Sequence, residues 1–150
     1  MEIRKAKITD VKAIYELINH YAEFDRMLFR SVSDIYENLQ IFSVAEEKGK
    51  IVGCGALQVI WSDLAELKSL AVAEKQKGSG IGKSLVDHII LQAKEMGLSS
   101  IFALTLEPGF FKKVGFKVVD MDKLPMKVWS DCAKCPKQNH CDEIAMLKAI

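Results

Sequence analysis

The most telling segment of this chain is Lys77-Gly78-Ser79-Gly80-Ile81-Gly82-Lys83-Ser84. An apolar run typical of a strand, Leu67–Ala73, precedes it, and residues 81–96 follow with the apolar spacing of a helix. Glycines let a backbone approach a ligand closely, and the first N–H groups of a helix have no partner within it. A strand, a glycine-rich loop and a helix N-terminus therefore predict a site for a pyrophosphate-like anion.

The glycine spacing excludes two common pyrophosphate sites. A nucleoside-triphosphate loop needs glycine five residues before its Gly-Lys-Ser, and that position is Lys77 here. A dinucleotide loop needs G-x-G-x-x-G, whereas residues 78–82 read G-x-G-x-G. An ordinary strand–helix connection stays open for the loop taken alone.

The loop resembles the acyl-CoA loop of the GNAT superfamily of N-acetyltransferases, Gln/Arg-x-x-Gly-x-Gly/Ala. Lys77 takes the first position, and Gly80 and Gly82 take the two small ones. Lysine departs from the motif, although a basic residue still suits a phosphate. Phe110-Phe111-Lys-Lys-Val-Gly115-Phe116 resembles the later F-Y-x-x-x-G-F element of the same superfamily. The two motifs occur in the expected order and identify the chain as a member.

This resemblance implies an α/β (α+β) fold with one GNAT-type domain over residues 1–150. It predicts a mixed central sheet of about six to seven strands with helices on both faces. Strands at 64–73 and 101–106 should be parallel, because a strand–helix–strand unit crosses over right-handedly, and a wedge should open between them. A further strand is predicted at 117–121, and residues 122–143 form a cysteine-containing excursion before the last strand.

Composition narrows the class of protein. At 150 residues the chain is long enough for one domain with a substantial core. It has no apolar run of 18 residues, so we expect no membrane partner and a cytoplasmic location. The net charge of +1 gives no reason to expect nucleic acid as a partner. GNAT domains often dimerise through strand edges, and a homodimer is left open.

Acetyl transfer to an amine needs a base for the ammonium, donors for the oxyanion and stabilisation of the leaving thiolate. The resemblance implies that acetyl-CoA is the co-substrate and that residues 77–84 hold its pyrophosphate. It also implies that the backbones of Leu70, Ala71 and Val72 pair with pantetheine. A backbone N–H at Leu70 or Ala71 would polarise the thioester carbonyl.

Glu66 is our candidate for the general base, with a solvated strand carboxylate as the alternative. His20 and His88 are weaker candidates, since the polar faces of their helices explain them. The superfamily often uses a tyrosine as the acid, and Phe111 stands at that position and has no proton to give. Water or another donor would replace it, or the thiolate leaves unassisted. Thr105 is a candidate for a hydrogen bond to pantetheine or its sulfur.

A closer resemblance is to the short, stand-alone N-acetylglutamate synthases of bacterial arginine biosynthesis. Four segments support it: Arg30-Ser31 before a helix, Gly53–Leu57, Asp63–Val72 and Phe102–Leu106. It implies L-glutamate as the acceptor, and such a site must bind two carboxylates.

The acceptor site is assigned on the same resemblance. Arg30 and Lys68 are the predicted carboxylate ligands, with Ser31 and Ser69 as hydrogen-bonding neighbours. Each cation has the alternative of an ordinary surface position, because the chain contains 21 Lys and Arg residues.

The chain has four cysteines. Cys54, within an apolar strand, is expected to be a buried and inert thiol. The tail offers a possible zinc set of Cys132, Cys135, His140 and Cys141. Neighbouring His140 and Cys141 rarely both reach one metal, so we expect no metal there, with reduced thiols or a redox pair as the alternative.

Three other functions stay open. The first is a GNAT acetyltransferase for another amino acid, another amine or a protein N-terminus. The second is a catalytically silent acyl-CoA-binding regulatory module, which Phe111 would suit. The third, a small zinc-binding nucleic-acid module built on the tail, is disfavoured by the near-zero net charge.

Overall fold

The computed structural model describes residues 1–23, 30–124 and 143–150. The strands of this part are β1 (Glu2–Lys5), β2 (Phe42–Glu47), β3 (Lys50–Trp61), β4 (Leu64–Val72), β5 (Ser100–Thr105), β6 (Lys117–Val118) and β7 (Ile144–Ala149). Its α-helices are α1 (Val11–Glu23), α2 (Val32–Glu37), α3 (Ile81–Glu95) and α4 (Pro108–Lys113). No helix of the described ranges is long and apolar enough to cross a membrane.

The seven strands of the described chain form one sheet in the order β1-β2-β3-β4-β5-β7-β6. Every neighbouring pair is antiparallel except β4 and β5, which are parallel. Helix α3 connects these two strands in the chain. The predicted mixed sheet and its parallel central pair are confirmed. The last strand, β7, lies between β5 and β6, so residues at the end of the chain complete the sheet.

Helices cover both faces of the sheet, as predicted. One face packs under α1 and α2, and we call it the acceptor face. Its buried cluster includes Ile14, Ile18, Ile35, Phe42 and Ala56. The opposite face packs under α3 and α4. Its buried cluster includes Leu57, Leu67, Ile89, Ile101, Phe111 and Phe116.

The predicted strand at 117–121 is wrong beyond its first residues, because β6 ends at Val118. Met121–Lys123 forms a 3₁₀ turn instead. Met121 and Leu124 lie one such turn apart, and both join an apolar cluster with Phe102 on the acceptor face. A continued strand would have pointed these two side chains to opposite faces.

The sheet is open between its two parallel strands. The register pairs Leu64 with Ser100 and ends with Glu66 opposite Phe102. Beyond this pair β4 continues to Val72 and β5 continues to Thr105 without pairing to each other. This is the predicted wedge, and Glu66 lies at the point where it opens.

Candidate active site

A β-bulge in β4 shapes the wall of the wedge. Ala56 is opposite Lys68 and Cys54 is opposite Ala71, so Ser69 and Leu70 together oppose a single residue of β3. Ser69 has φ of 56°, a left-handed conformation that is unusual for a residue other than glycine. The bulge reverses the side-chain alternation, so that Leu70 packs towards α3 while Ala71 joins the cluster beneath α1.

In the part of β4 that precedes the bulge, polar side chains project onto the acceptor face. Glu66 and Lys68 are two residues apart on a regular strand, so they lie on the same face. Gln58 of β3 is directly opposite Glu66, and Glu66 is directly opposite Phe102 of β5. The predicted base and the predicted lysine are therefore neighbours, with apolar clusters on both sides.

Arg30 reaches the same face from the segment before α2. Its guanidinium lies 5.4 Å from the centroid of the Phe42 ring, and its Nε is 3.0 Å from a carboxylate oxygen of Asp34. The Asn19 amide fixes the Arg30 backbone through two hydrogen bonds, one to its carbonyl at 3.1 Å and one from its N–H at 3.2 Å. The Nη1 atom of Arg30 is buried and has no hydrogen-bond partner among the described residues.

The Ser31 hydroxyl is used locally. It accepts a hydrogen bond of 3.0 Å from the Asp34 N–H and caps the N-terminus of α2. Its predicted role beside the acceptor stays a prediction. The cap fixes the start of α2 directly after Arg30, and so contributes to the position of that side chain.

Cys54 lies beneath the bulge as a buried thiol, as predicted. Its sulfur lies 3.5 Å from the Ser69 carbonyl oxygen, to which the thiol donates. Burial raises the pKa of Cys54 to about 12, although the Ala71 N–H and the Arg30 charge act to lower it. The Ala71 N–H is therefore directed at this sulfur.

The glycine loop follows β4 as predicted. Gly78 and Gly80 have φ of 84° and 88°, which glycine adopts without strain. Gly80 immediately precedes α3, whose first turn contains no acidic residue. The first N–H groups of α3 have no partner within the helix, so they are available to an anion. Gly82 packs against Phe110, whose ring would lie 3.2 Å from an added Cβ.

Other polar groups of the predicted loop have local contacts. Lys83 forms an exposed ion pair of 2.9 Å with Asp87, one helical turn further along α3. The Ser79 hydroxyl donates to the Gln76 carbonyl. The Ser84 N–H donates to the Gly80 carbonyl and closes the first turn of the helix.

Tyr21 joins α1 to this loop, a contact that the sequence did not predict. Its hydroxyl donates to the Val72 carbonyl at the end of β4. The Nζ of Lys77 lies 4.7 Å from the centroid of the Tyr21 ring, in a cation–π contact. Glu74 lies 3.4 Å from His20 and 4.0 Å from Lys77. His20 is therefore part of a link between α1 and the loop.

The two candidates beyond β5 have different surroundings. The Thr105 Oγ1 accepts a hydrogen bond of 2.8 Å from the Glu107 N–H and is buried at the end of β5. The Phe111 ring is 6% exposed and packs edge-to-face against both Phe110 and Phe116. Phe111 is thus held in the core by its neighbours.

The predicted zinc set, Cys132, Cys135, His140 and Cys141, lies outside the described residues. Within residues 1–23, 30–124 and 143–150, no group of three or more His, Cys, Asp and Glu side chains could hold a metal.

Comparison with known proteins identifies the family. Residues 38–118 match the acetyltransferase (GNAT) domain. This chain belongs to the GNAT acetyltransferases. The match covers the segment from the end of α2 through β6, and so includes both strands of the wedge and the glycine loop.

Two GNAT relatives cover most of this chain. It is 42% identical over 148 residues to the uncharacterized N-acetyltransferase CT2212 of Chlorobaculum tepidum, covering 99% of this chain and 96% of the relative. It is 37% identical over 135 residues to an amino-acid acetyltransferase of Mycobacterium tuberculosis, covering 88% of this chain and 77% of the relative.

A solved GNAT structure also matches. It is N-acetylglutamate synthase from Neisseria gonorrhoeae in complex with coenzyme A and N-acetyl-glutamate, with a TM-score of 0.91 and 29% identity. The match covers 99% of this chain and 34% of that one, so this chain spans about a third of the length of that enzyme. The predicted use of acetyl-CoA by this GNAT acetyltransferase is confirmed.

Proposed function

We propose that this GNAT enzyme acetylates the α-amine of L-glutamate, the first step of arginine biosynthesis. The observation that supports this most directly is a pair of cations on the acceptor face. Phe42, Ala56 and Lys68 are opposite one another on three adjacent strands, and Arg30 lies over the first of them. Two strand spacings separate Phe42 from Lys68, about 10 Å.

Two cations that reach the same face from positions two strands apart suit an acceptor with two carboxylates. One carboxylate would pair with the buried Nη1 of Arg30, and the other with the Lys68 ammonium, while the amine lies between them near Glu66. Arginine forms directional pairs with carboxylates, and a buried guanidinium nitrogen gains most from such a partner. Ser69, in the bulge next to Lys68, would donate a further hydrogen bond.

The chemistry follows from the position of Glu66 at the opening of the wedge. Glu66 takes a proton from the substrate ammonium, directly or through a water, and the neutral nitrogen attacks the thioester carbonyl carbon. The new oxyanion accepts a hydrogen bond from the Leu70 N–H. Collapse breaks the carbon–sulfur bond and the electron pair goes to the sulfur, while the second proton of the nitrogen passes to water, which can return a proton to the thiolate.

Pantetheine would occupy the open edges of β4 and β5, pairing with the backbone at Leu70 and Val72. Its pyrophosphate would bind at residues 77–84. The names of the similar proteins support an amino-acid acceptor, since one is an amino-acid acetyltransferase and another is an N-acetylglutamate synthase. Thr105 remains a candidate partner of the sulfur.

A silent acyl-CoA-binding module is the second candidate, and Phe111 is the observation that favours it. The buried phenyl ring cannot protonate a thiolate. The active enzyme would then rely on water or on local stabilisation of the thiolate, because the CoA thiol is a far better leaving group than an amine.

The test measures release of CoA thiol from acetyl-CoA with a panel of amino acids and amines. Turnover specific to L-glutamate is expected. Lys68→Ala should raise the KM for glutamate about 10- to 100-fold, because one charged hydrogen bond is lost. Glu66→Gln should lower kcat about 100-fold or more.

Lys50→Ala is the matched control, since this exposed lysine lies at the start of β3 by the hairpin turn. It should behave like the wild type. Turnover of another amine in preference to glutamate would refute the acceptor assignment and keep the enzyme. Tight acetyl-CoA binding without turnover of any acceptor would favour the silent module.

A further inference from the structure

Gln58 is a polar residue at the acceptor face that the mechanism above does not use. It lies on β3 directly opposite Glu66, on the same face as its neighbours Ala56 and Ile60, which are both buried. Its side-chain oxygen, Oε1, is buried and has no hydrogen-bond partner among the described residues. The amide therefore lies between two buried apolar neighbours on its own strand, and its oxygen atom lacks a hydrogen bond.

A buried amide oxygen without a partner is unfavourable, and such atoms are rare in folded proteins. A methionine or leucine would fill the same space without that penalty. The position is also specific. Glu66 is the last residue of β4 that pairs with β5, so Gln58 lies beside the group that receives the substrate proton.

We propose that Gln58 is a positioning residue whose Oε1 accepts a hydrogen bond from the acceptor amine. The inference rests on the proposed acetyl transfer to an amine at Glu66, and not on the identity of that amine. The ammonium has three N–H bonds. One proton goes to Glu66, one is lost when the carbon–nitrogen bond has formed and the carbon–sulfur bond breaks, and the third remains in the product amide. Gln58 accepts from this third N–H throughout.

A neutral acceptor suits this role better than a carboxylate. A second carboxylate beside the amine would favour the ammonium over the nucleophilic amine. Among the described residues, the charged side chains on this face of the central strands are Glu66 and Lys68 of β4, and Arg30 reaches the same face over Phe42. Gln58 orients the nitrogen without adding to their charge.

Two substitutions test the proposal. Gln58→Met keeps the length of the side chain and removes the acceptor atom. It should lower kcat/KM for the acceptor about 10-fold or more and leave the KM for acetyl-CoA unchanged. Gln58→Glu keeps an acceptor oxygen and adds a charge. It should shift the rising limb of the pH profile of kcat/KM to higher pH, because the added carboxylate lies beside Glu66 and the acceptor amine.

Gln40→Met is the matched control, because Gln40 is exposed in the turn before β2. It should retain wild-type kinetics. All variants are assayed with whichever amine the wild type turns over best, so a wrong acceptor assignment does not affect the comparison. A Gln58→Met enzyme with wild-type kcat/KM, or a Gln58→Glu enzyme with the wild-type pH profile, would overturn the proposal.

Discussion

Asp10 holds the start of α1 to the edge of the sheet. Its carboxylate is buried and lies 2.7 Å from the Arg4 guanidinium, and it also accepts a hydrogen bond of 2.8 Å from the Lys7 N–H. The Arg4 partner lowers the pKa of Asp10, against the opposing effect of burial. The charged carboxylate is therefore stabilised by the fold.

We expect Asp10→Asn to lower the free energy of unfolding by about 1.5–3 kcal/mol at pH 7, because a charged hydrogen bond to a buried group is lost. The Asp10 pKa is depressed in the folded state, so its contribution is complete above the unfolded pKa of about 4. It declines as the pH falls through the folded value. The difference between variant and wild type should thus shrink in acid.

Urea denaturation at pH 7 and at successively lower pH measures this difference. Asp87→Asn provides the control, since Asp87 forms an exposed pair with Lys83 on α3. That pair should contribute less than about 1 kcal/mol at any pH. A difference for Asp10→Asn that stays constant down to pH 2 would contradict the assignment.

Two residues show where single-residue patterns give no signal. Ser69 adopts a left-handed conformation in the middle of a strand, which serine rarely does. The bulge is a feature of how β3 and β4 pair, and that pairing is a property of the sheet. Gln58 is neutral, and only the structure reveals that its Oε1 is buried without a hydrogen-bond partner in the described part of the chain. Neither the conformation of Ser69 nor the buried oxygen of Gln58 could have been predicted from spacing.

The glycines of β3 let α3 lie close to the sheet. A Cβ added at Gly53 would lie 2.9 Å from Leu85 Cδ1, and one at Gly55 would lie 2.9 Å from Ile89 Cδ1. The sequence predicted the strand and the helix separately, with α3 ending before Gly97 as observed. The distance between β3 and α3 depends on which glycines face the helix. To know which glycines face the helix, one needs the pairing register of β3 in the sheet.

Gly55→Ala should destabilise the fold by about 1–3 kcal/mol through overpacking against Ile89. Ile89→Val removes the atom in contact and should cost about 0.5–1.5 kcal/mol alone. The double variant should be more stable than the sum of the two losses predicts, since the added methyl group then has space. Thermal denaturation of all four proteins measures this coupling.

Gly109→Ala is the control for adding a methyl group. An added Cβ at Gly109 meets nothing within 4 Å, and its φ is not in the left-handed range. The substitution should be neutral or slightly stabilising. Strict additivity of Gly55→Ala and Ile89→Val, within about 0.5 kcal/mol, would show that the two residues do not compete for the same space.

At the scale of the whole molecule, the order of elements and the central parallel pair were predictable from the sequence. Glycine loops, helix ends and apolar runs are local signals, and the crossover rule fixes how β4 and β5 pair. The short β6 and the turn at Met121–Lys123 were not predictable, since they depend on an apolar cluster formed with distant strands. The roles predicted for Arg30 and Lys68 as carboxylate ligands came from resemblance. The structure adds that both side chains lie on the same face of the sheet.

The wedge leaves part of the central sheet unpaired. Pairing between β4 and β5 ends at Glu66 and Phe102, and α3 connects the two strands, with its N-terminus at the glycine loop. Acetyl-CoA would therefore contact both halves of the sheet and the end of the helix between them. Binding to the folded state alone stabilises a protein, by about 2.7 kcal/mol at a ligand concentration 100 times Kd.

Two glycines that flank α3 allow this linkage to be tested. Gly80 and Gly97 both have φ of 88°, and a Cβ added at either meets nothing within 4 Å. Alanine at either position should therefore cost a similar amount of stability, about 1–2 kcal/mol. Only Gly80 lies in the loop that is proposed to bind the pyrophosphate. Gly80→Ala should weaken CoA binding about 10-fold and reduce the CoA-induced rise in Tm, whereas Gly97→Ala should keep the full rise. Equal losses of CoA affinity in the two variants would mean that strain at either end of α3 disturbs the site, and that the loop has no direct role.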